Sequence, residues 1–315
     1  MLQFIKQSTV IPFMKIKGIV EVLCLVLVIG SIVSMCTKGL NWGLDFTGGI
    51  VVETSYSKAV DLNDVKKEYA KQGIVGTTQH FGTNQDVLVR VAPKDGLDQQ
   101  IVTNKVMAAS KALDPSVTLS RTEYVGPAVG EELVESGLIA IVVSLLAILI
   151  YIAFRFEWRM ATGAVISLAY DVIVVLGTFS VLQIEYDLTV LAAVLTVVGY
   201  SLNDKIVVFD RIRENASTLP RNTVMSRLFD VSLTQTLSRT IITSGTTLIT
   251  VVSLMIFGGE MIYGFALALF VGIVFGTISS IYVASTWALI LGIKRENLVP
   301  VKIEKKESDG YETMD

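Results

Sequence analysis

The sequence predicts a polytopic α-helical membrane protein with six transmembrane helices and a small α+β domain, of the ferredoxin-like βαββαβ order, between helices 1 and 2. The first observation is composition, since 52% of the 315 residues are hydrophobic and only 17% are charged, against about 25% charged in soluble domains. The second is the presence of six apolar stretches long enough to cross a bilayer, which takes about 20 residues. The third is that nearly all the polar sequence able to fold by itself lies in 37–134.

The composition also argues against several classes of protein. The net charge of −3 provides no basic field for nucleic acid. One histidine and two cysteines leave little material for a zinc site or a disulfide framework, and we expect Cys24 and Cys36 to be packing residues of the first apolar stretch. The lone His80 lies in a predicted strand, and no GxSxG, HExxH, CxxC or Walker A motif is present. We therefore expect no enzyme chemistry and no bound cofactor, so any work must draw on an ion gradient or a partner.

The apolar stretches define the topology. Lysine and arginine concentrate in the N-terminal arm, in the connections after the second and fourth spans, and in the C-terminal tail. The short connections 183–187 and 258–261, on the other side of the membrane, contain neither. Because cytoplasmic loops carry the excess of these residues, both termini are predicted to be cytoplasmic. Residues 39–42 lack a small-x-small cleavage pattern, so the first span is not interpreted as a signal peptide. The predicted spans are 18–36, 135–154, 160–182, 188–209, 241–258 and 262–292.

The chain therefore divides into four parts. A cytoplasmic arm with the first span occupies 1–36, the exported domain 37–134, helices 2–6 occupy 135–293, and the cytoplasmic tail 294–315 is predicted to be disordered because it mixes both charges. Within the exported part, the patterns follow the order strand, helix, strand, strand, helix, strand of a ferredoxin-like unit. These elements are predicted at 49–57, 62–72, 76–81, 86–92, 97–113 and 117–125.

Ionisable residues inside the spans are the candidates for function, because each costs at least about 2.5–3.5 kcal/mol at the bilayer centre. Asp171 lies in the third span, and Asn203, Asp204 and Lys205 lie in the fourth. Asp204 is too short to reach the membrane surface. We expect it to face the bundle interior, a water-filled cavity or a cation, for which Arg239 at the start of the fifth span is the candidate.

Two interpretations compete for these carboxylates. In the first, Asp204, and less directly Asp171, gains and loses a proton as cavities open to either side of the membrane. In the second, each only fixes helix packing by accepting hydrogen bonds. The donors would be Asn203, Ser201 or a neighbouring helix for Asp204, and Tyr170 or Ser167 for Asp171. The residues alone leave both interpretations open.

Three further features belong to the spans. The presence of Lys205 in an apolar span has a simple explanation, because its long side chain can extend the ammonium group to the cytoplasmic surface. Gly272 and Gly276 form a small-xxx-small ridge in the sixth span, which favours close helix packing. The charged residues at 210–214 predict an amphipathic cytoplasmic segment after the fourth span.

Four blocks of sequence form a specific pattern. They lie at 41–49 after the first span, 124–130 before the second, 198–215 in the fourth and 231–240 before the fifth. The first reads Asn-Trp-Gly-Leu-Asp-Phe-Thr-Gly-Gly, and the third contains Gly-Tyr-Ser-Leu-Asn-Asp. Together these blocks resemble the SecF family of bacterial protein-export membrane proteins, in the resistance-nodulation-division superfamily.

That resemblance implies a function. SecF pairs with SecD, a sibling with the same six-span plan, is associated with the SecYEG channel, and promotes export of unfolded polypeptides after SecA-driven insertion. The complex lies in the inner membrane, with a ferredoxin-like SecF domain in the periplasm. It draws on the proton motive force, or in some members on a sodium gradient.

The resemblance also assigns residues. The proton-relay carboxylate of the family matches Asp204 and its arginine partner matches Arg239, while Asp171 and Asn203 are the weaker candidates. Lys205 departs from the family, which is expected to have Ser or Thr at this position. The lysine either points away from Asp204 or tunes the relay differently.

Two other functions would use the same features. An ion-driven half-transporter for a small molecule or lipid shares the carboxylate and the helix plan, but its exported domain should be larger and cupped around a ligand. A structural scaffold that stabilises the translocation channel would tolerate neutral residues at Asp204 and Arg239.

Overall fold

The computed structural model of the protein describes residues 10–92 and 98–298. The chain begins with a long apolar helix whose first turn is tied to a later part of the chain, because the Met14 N–H donates to Asp230 Oδ1 over 2.9 Å. The helix ends at Gly39, whose φ of +72° is one that an L side chain rarely adopts. The first elements are α1 (Phe13–Lys38), β1 (Asn41–Trp42) and α2 (Leu44–Thr47).

An antiparallel sheet with two helices follows. Its elements are β2 (Gly49–Ser55), α3 (Leu62–Lys71), β3 (Gly76–Phe81), β4 (Thr83–Val91), α4 (Gln99–Leu113) and β5 (Thr118–Val125). The strands lie in the order β3-β4-β2-β5, so that β2 pairs with both β4 and β5. Val52 and Val89 of the sheet and Val65 and Val106 of the helices share one buried core. The predicted ferredoxin-like domain is confirmed.

One strand begins earlier than predicted. β4 starts at Thr83 rather than at residue 86, because Thr83 pairs with Phe81 across a hairpin turn at Gly82. Gly82 has a φ of +75°, which glycine adopts without strain. The extra residues are polar and exposed, so no alternation of apolar residues marks them in the sequence.

The rest of the chain is a helical bundle. Its elements are α5 (Pro127–Arg155), α6 (Trp158–Leu182), β6 (Glu185–Tyr186), α7 (Leu188–Thr218), α8 (Met225–Phe257), α9 (Glu260–Ile281), α10 (Val283–Ile290) and α11 (Arg295–Leu298). With α9 and α10 counted as one, six helices within the described residues are long and apolar enough to cross a membrane, as predicted. About half of the apolar stretch of α6 and of α7 is buried (50% and 56%), against 11% for α1 and α5. Helices α6 and α7 therefore form the centre of the bundle.

Two helices extend well beyond their predicted spans. Helix α7 continues to Thr218, and α8 begins at Met225, so the charged segment 210–214 belongs to the same helix as the fourth span. The polar extensions are held by contacts between helices. Arg155 pairs with Asp210, and Asn215 donates to Ser232 Oγ over 2.9 Å. An apolar pattern marks only the part of a helix that lies in lipid, which is why the sequence does not reveal these ends.

The tail predicted to be disordered from residue 294 starts as an ordered segment. Arg295 of α11 donates to the carbonyl groups of Ala216, Leu219 and Pro220. Ala216 is in the last turn of α7, where a helix leaves its last acceptors unpaired, and Leu219 and Pro220 follow directly after the helix. The guanidinium group thus binds the backbone at the end of α7. The prediction for 299–315 concerns residues outside the described part of the chain.

The sequence block 41–49 joins the α+β domain to the bundle. Strand β1 pairs in parallel with β6, in the connection between α6 and α7. Asp45 Oδ2 accepts the Leu188 N–H over 3.0 Å and thereby caps the start of α7. Gly48 has a φ of +63°, and Gly130 approaches it so closely that a Cβ at Gly130 would lie 3.3 Å from the Gly48 nitrogen. The block is thus a junction between two parts of the fold.

Candidate functional site

Asp171 is completely buried on α6, in the middle of the bundle. Its Oδ2 atom lies 2.9 Å from Lys205 Nζ and accepts the Ser201 hydroxyl over 2.5 Å, both from α7. The hydroxyls of Ser167 and Tyr170, which we expected to satisfy this carboxylate, do not bond it. Tyr170 interacts with the Cys24 thiol instead, and the Ser167 hydroxyl has no hydrogen-bond partner in the described part of the chain. That expectation is wrong, because the neighbouring helix supplies the donors.

Lys205 is also completely buried. The expectation that its ammonium group reaches the membrane surface is therefore wrong. Instead it points to Asp171, and the ion pair gives the charge a partner inside the bundle, where an unpaired charge would be costly. Of the two alternatives for Lys205, the structure supports a side chain directed away from Asp204 into an ion pair of its own.

Asp204 is 4% exposed and lies on α7 next to Lys205. Among the described residues it forms no hydrogen bond and no ion pair within 4.0 Å. Ser201, one of the expected donors in the packing interpretation, donates to Asp171 instead. Lys205 and Arg239 are the cations that act on the Asp204 carboxylate through space. The two intramembrane carboxylates thus differ, since Asp171 is held in a tight ion pair and Asp204 is not.

Arg239 lies on α8, which runs antiparallel to α7. Two hydrogen bonds join α7 to α8 on either side of Asp204 and Arg239. On one side Tyr200 Oη lies 3.4 Å from Thr247 Oγ1, and on the other Asn215 donates to Ser232. Arg239 is exposed on this side of the bundle. Because α8 begins at Met225, Arg239 lies in the middle of the helix, just before the apolar stretch predicted as the fifth span. The structure thus brings Arg239 into electrostatic range of Asp204, without a direct contact.

Asn203 is exposed, on the opposite side of α7 from the buried ion pair. It belongs to a line of small and polar residues at helical spacing that we call the polar stripe. On α8, exposed polar residues occur along the same part of the bundle. The polar stripe consists of Thr196, Gly199 and Asn203, and the exposed polar residues of α8 include Gln235, Arg239, Thr246, Thr250 and Ser253.

Helix α9 packs tightly on the other side of α7. A Cβ at Gly272 would lie 2.3 Å from Val197 Cγ2, and one at Gly276 would lie 2.9 Å from Ser201 Oγ and 3.8 Å from Asp171 Oδ2. The predicted ridge of small residues is confirmed. Its second glycine leaves room for the ion pair of Asp171.

Glu21 of α1 is an ionisable residue of the first span that the sequence analysis did not single out. Its Oε1 atom is buried and has no partner in the described part of the chain. Both Glu21 and Asp171 act electrostatically on the Cys24 thiol, which is buried as expected, whereas Cys36 is exposed and does not pack in the described structure. Glu21 could have been identified from the sequence, because it is a carboxylate flanked by valines in an apolar stretch.

The junction of the domain and the bundle contains a cavity of about 480 Å³. Arg90 of β4 forms an ion pair with Glu185 of β6 at its edge, and burial raises the pKa of Glu185. His80 lines the cavity and is part of β3, as predicted. The cavity wall mixes carboxylates with apolar residues, among them Leu44, Asp45, Glu53, Glu123, Met261 and Tyr263.

A sequence model of the family described as "Protein export membrane protein SecD/SecF, C-terminal" matches residues 105–294, and one described as "SecD/SecF GG Motif" matches residues 33–60. The first match covers more than half of the chain. The chain belongs to the SecD/SecF family. Its relatives include the protein translocase subunit SecF of Vibrio alginolyticus, which is 49% identical over 98% of both chains. The SecF subunit of Escherichia coli O157:H7 is 46% identical over 90% of this chain and 88% of its own.

The fold agrees with this family. The crystal structure of SecDF from Thermus thermophilus, described as a translocon-associated membrane protein, matches with a TM-score of 0.81 and 35% identity. The match covers 92% of this chain and 40% of the longer SecDF chain. A second SecDF structure, in a super-membrane-facing form, matches with a TM-score of 0.68. The resemblance predicted from the sequence blocks is confirmed, and the chain is a multi-pass protein of the bacterial inner membrane.

Proposed function

We propose that the chain is the SecF half of a SecD–SecF complex, which uses a transmembrane ion gradient to promote polypeptide export after SecA-driven insertion into the SecYEG channel. The observation that carries this proposal is the state of Asp204, a buried carboxylate without a hydrogen bond or close ion pair among the described residues. A carboxylate inside a membrane bundle that lacks a fixed partner is suited to take up and release a proton.

The difference between the two carboxylates supports Asp204 as the relay residue. Asp171 is neutralised by Lys205, so protonating it would break a buried ion pair and leave the ammonium group unpaired. Asp204 feels Lys205 and Arg239 only through space. One unit charge that crosses 100 mV releases about 2.3 kcal/mol, which is enough to shift a conformational equilibrium roughly fifty-fold.

The polar stripe and the exposed side of α8 support SecD as the partner. An arginine or asparagine that faces lipid is poorly solvated, and for an arginine the cost rises to about 2.5–3.5 kcal/mol or more at the bilayer centre. Arg239 and Asn203 avoid this cost if a second helical bundle covers them. SecD, which has the same six-span plan in the family resemblance, supplies such a bundle.

The movement of the α+β domain depends on its junction with the helical bundle. Protonation of Asp204 weakens its attraction to Arg239 and lets the bundle shift against that of SecD. Because β1 and β6 fasten the α+β domain to the connection between α6 and α7, a shift of either helix moves the domain. The lysines and arginines near the span ends favour a cytoplasmic location of both termini, which supports a periplasmic location of this domain, where an emerging polypeptide passes.

The test is export in cells whose only copy of the chain carries Asp204→Asn. We expect signal-bearing precursors to accumulate as they do in a deletion strain, and Asp204→Glu to restore part of the export. Glu214→Gln is the matched control, since it removes an exposed carboxylate from the same helix outside the apolar span, where Glu214 pairs only with Arg211 of that helix, and it is expected to leave export unchanged. Membrane levels must be equal in all strains.

The outcomes separate the candidate functions. Normal export with Asp204→Asn, together with failure in the deletion strain, would overturn the relay and leave the scaffold interpretation. Normal export in the deletion strain would reject a role in export and leave the ion-driven half-transporter.

A further inference from the structure

The Lys205 ammonium group lies in a closed cage of oxygen atoms. Its Nζ is 2.9 Å from Asp171 Oδ2, 3.4 Å from the Ser201 carbonyl oxygen and 3.5 Å from Ser279 Oγ, and it also bonds Ser201 Oγ. The side chains of Asp171, Lys205 and Ser279 are completely buried, and Ser201 is nearly so. Carboxylate, carbonyl and hydroxyl oxygens around one point are the environment that proteins provide for hard metal cations.

Both hydroxyl groups of the cage donate their protons to oxygen acceptors. Ser201 donates to Asp171 Oδ2 over 2.5 Å, and Ser279 donates to the Gly276 carbonyl oxygen over 3.0 Å. A hydroxyl has one proton and two lone pairs, so only lone pairs remain for the ammonium nitrogen. Asp171 Oδ1 is buried too and has no hydrogen-bond partner among the described residues. The cage therefore presents acceptors alone, as a metal cation requires.

We infer that this cage is an alkali-cation site that the chain fills with its own ammonium group, so that Lys205 helps to select the coupling ion. With Lys205 in place, the position of the cation is taken and the charge of Asp171 is balanced. A free sodium or potassium ion has no place there, and the proton remains as the ion that Asp204 can exchange. This inference rests on the proposed ion-driven function and assigns to Lys205 a specificity-determining role within it.

The experiment empties the cage. Lys205→Ser removes the ammonium group and adds a hydroxyl, while the Asp171 carboxylate stays. The full-length chain is purified in detergent, and its melting temperature is measured as NaCl or KCl replaces choline chloride at constant ionic strength. We expect a saturable rise of about 5 °C or more for the variant, since a cation bound only to the folded state stabilises it, and no saturable rise for the wild type.

Two further variants control for charge and volume. Lys205→Met fills the cage with an apolar chain of similar length, and Asp171→Asn with Lys205→Ser removes the carboxylate charge. Neither is expected to respond to alkali cations, and the double variant is expected to be more stable than Lys205→Ser in choline chloride.

Several results would overturn the inference. One is a melting temperature of Lys205→Ser that does not rise saturably with NaCl or KCl, and another is a wild-type rise of equal size. A third is a Lys205→Ser variant that cannot be recovered even in NaCl while the double variant folds. Failure of the double variant to fold would also count against it, because the ion pair would then be needed for packing rather than for charge. The melting temperature is measured without export, so its result does not depend on the outcome of the Asp204→Asn experiment.

Discussion

Arg90 of the α+β domain forms an ion pair with Glu185, in the short connection between α6 and α7. The same guanidinium group donates to the Trp42 carbonyl, and Glu185 accepts the Leu44 N–H over 3.2 Å. The ion pair thus reinforces the parallel pairing of β1 with β6. The domain is fastened to the loop that joins the two most enclosed helices of the bundle.

This junction predicts a dependence of stability on pH. Burial raises the pKa of Glu185, against the opposing effects of Arg90 and of the Leu44 N–H. The folded state therefore binds more protons at this residue than the unfolded state does, and its stability falls as the pH rises through the folded pKa. We predict that the melting temperature of the wild type falls relative to that of Glu185→Gln as the pH rises above the ordinary value of 4.5.

The measurement is a series of thermal melts of both chains across this pH range. Arg90→Met is the companion variant, because loss of the cation raises the pKa of Glu185 further and moves the fall to higher pH. Parallel melting curves for the wild type and Glu185→Gln at every pH would contradict the prediction.

A second prediction concerns the room that Gly276 leaves for the ion pair. In Gly276→Ala the new Cβ would lie 2.9 Å from Ser201 Oγ, so the hydroxyl must move away from Asp171 or the helices must separate. We expect a loss of about 1–3 kcal/mol in the free energy of unfolding, the usual cost of overpacking. Gly199→Ala is the matched control, since no atom lies within 4 Å of its Cβ position. Equal stability of the two variants in thermal melts of the full chain would reject the prediction.

A third prediction tests the polar stripe as the contact with SecD. Gly199→Leu introduces a bulky side chain on the exposed side of α7 without meeting any atom within 4 Å of its Cβ position. We expect at least about a tenfold loss of affinity for SecD, or about 1.4 kcal/mol, measured by co-purification at equal expression. The melting temperature of the isolated chain should not change.

The control for this variant is Gly30→Leu. Gly30 is exposed on α1 and also has no atom within 4 Å of its Cβ position, so it matches the change in size on another side of the bundle. Unchanged recovery of SecD with Gly199→Leu, or equal loss with both variants, would show that the polar stripe is not the contact.

Much of the fold can be predicted because it depends on patterns that are local in the chain. Apolar length marks a span whatever its neighbours are, and the alternation of the strands and the helical spacing of 62–72 reflect one buried face. The burial of Asp204 also follows from its position, since a short side chain in the fourth span cannot reach water. The amphipathic segment predicted at 210–214 is present, but its continuity with the fourth span and the extension of α8 over 225–240 were not predicted, because contacts between helices rather than apolar residues hold them.

The sequence by itself determined the six spans, the ferredoxin-like domain, the family and the candidate residues, because each depends on the order and type of neighbouring residues. Only the tertiary structure decided the partners of the charged groups. Lys205 lies beside Asp204 in the chain, yet it pairs with Asp171, which is 34 residues away, because α6 packs against the side of α7 that carries the lysine. Arg90 and Glu185 are 95 residues apart, and only folding brings their charges together.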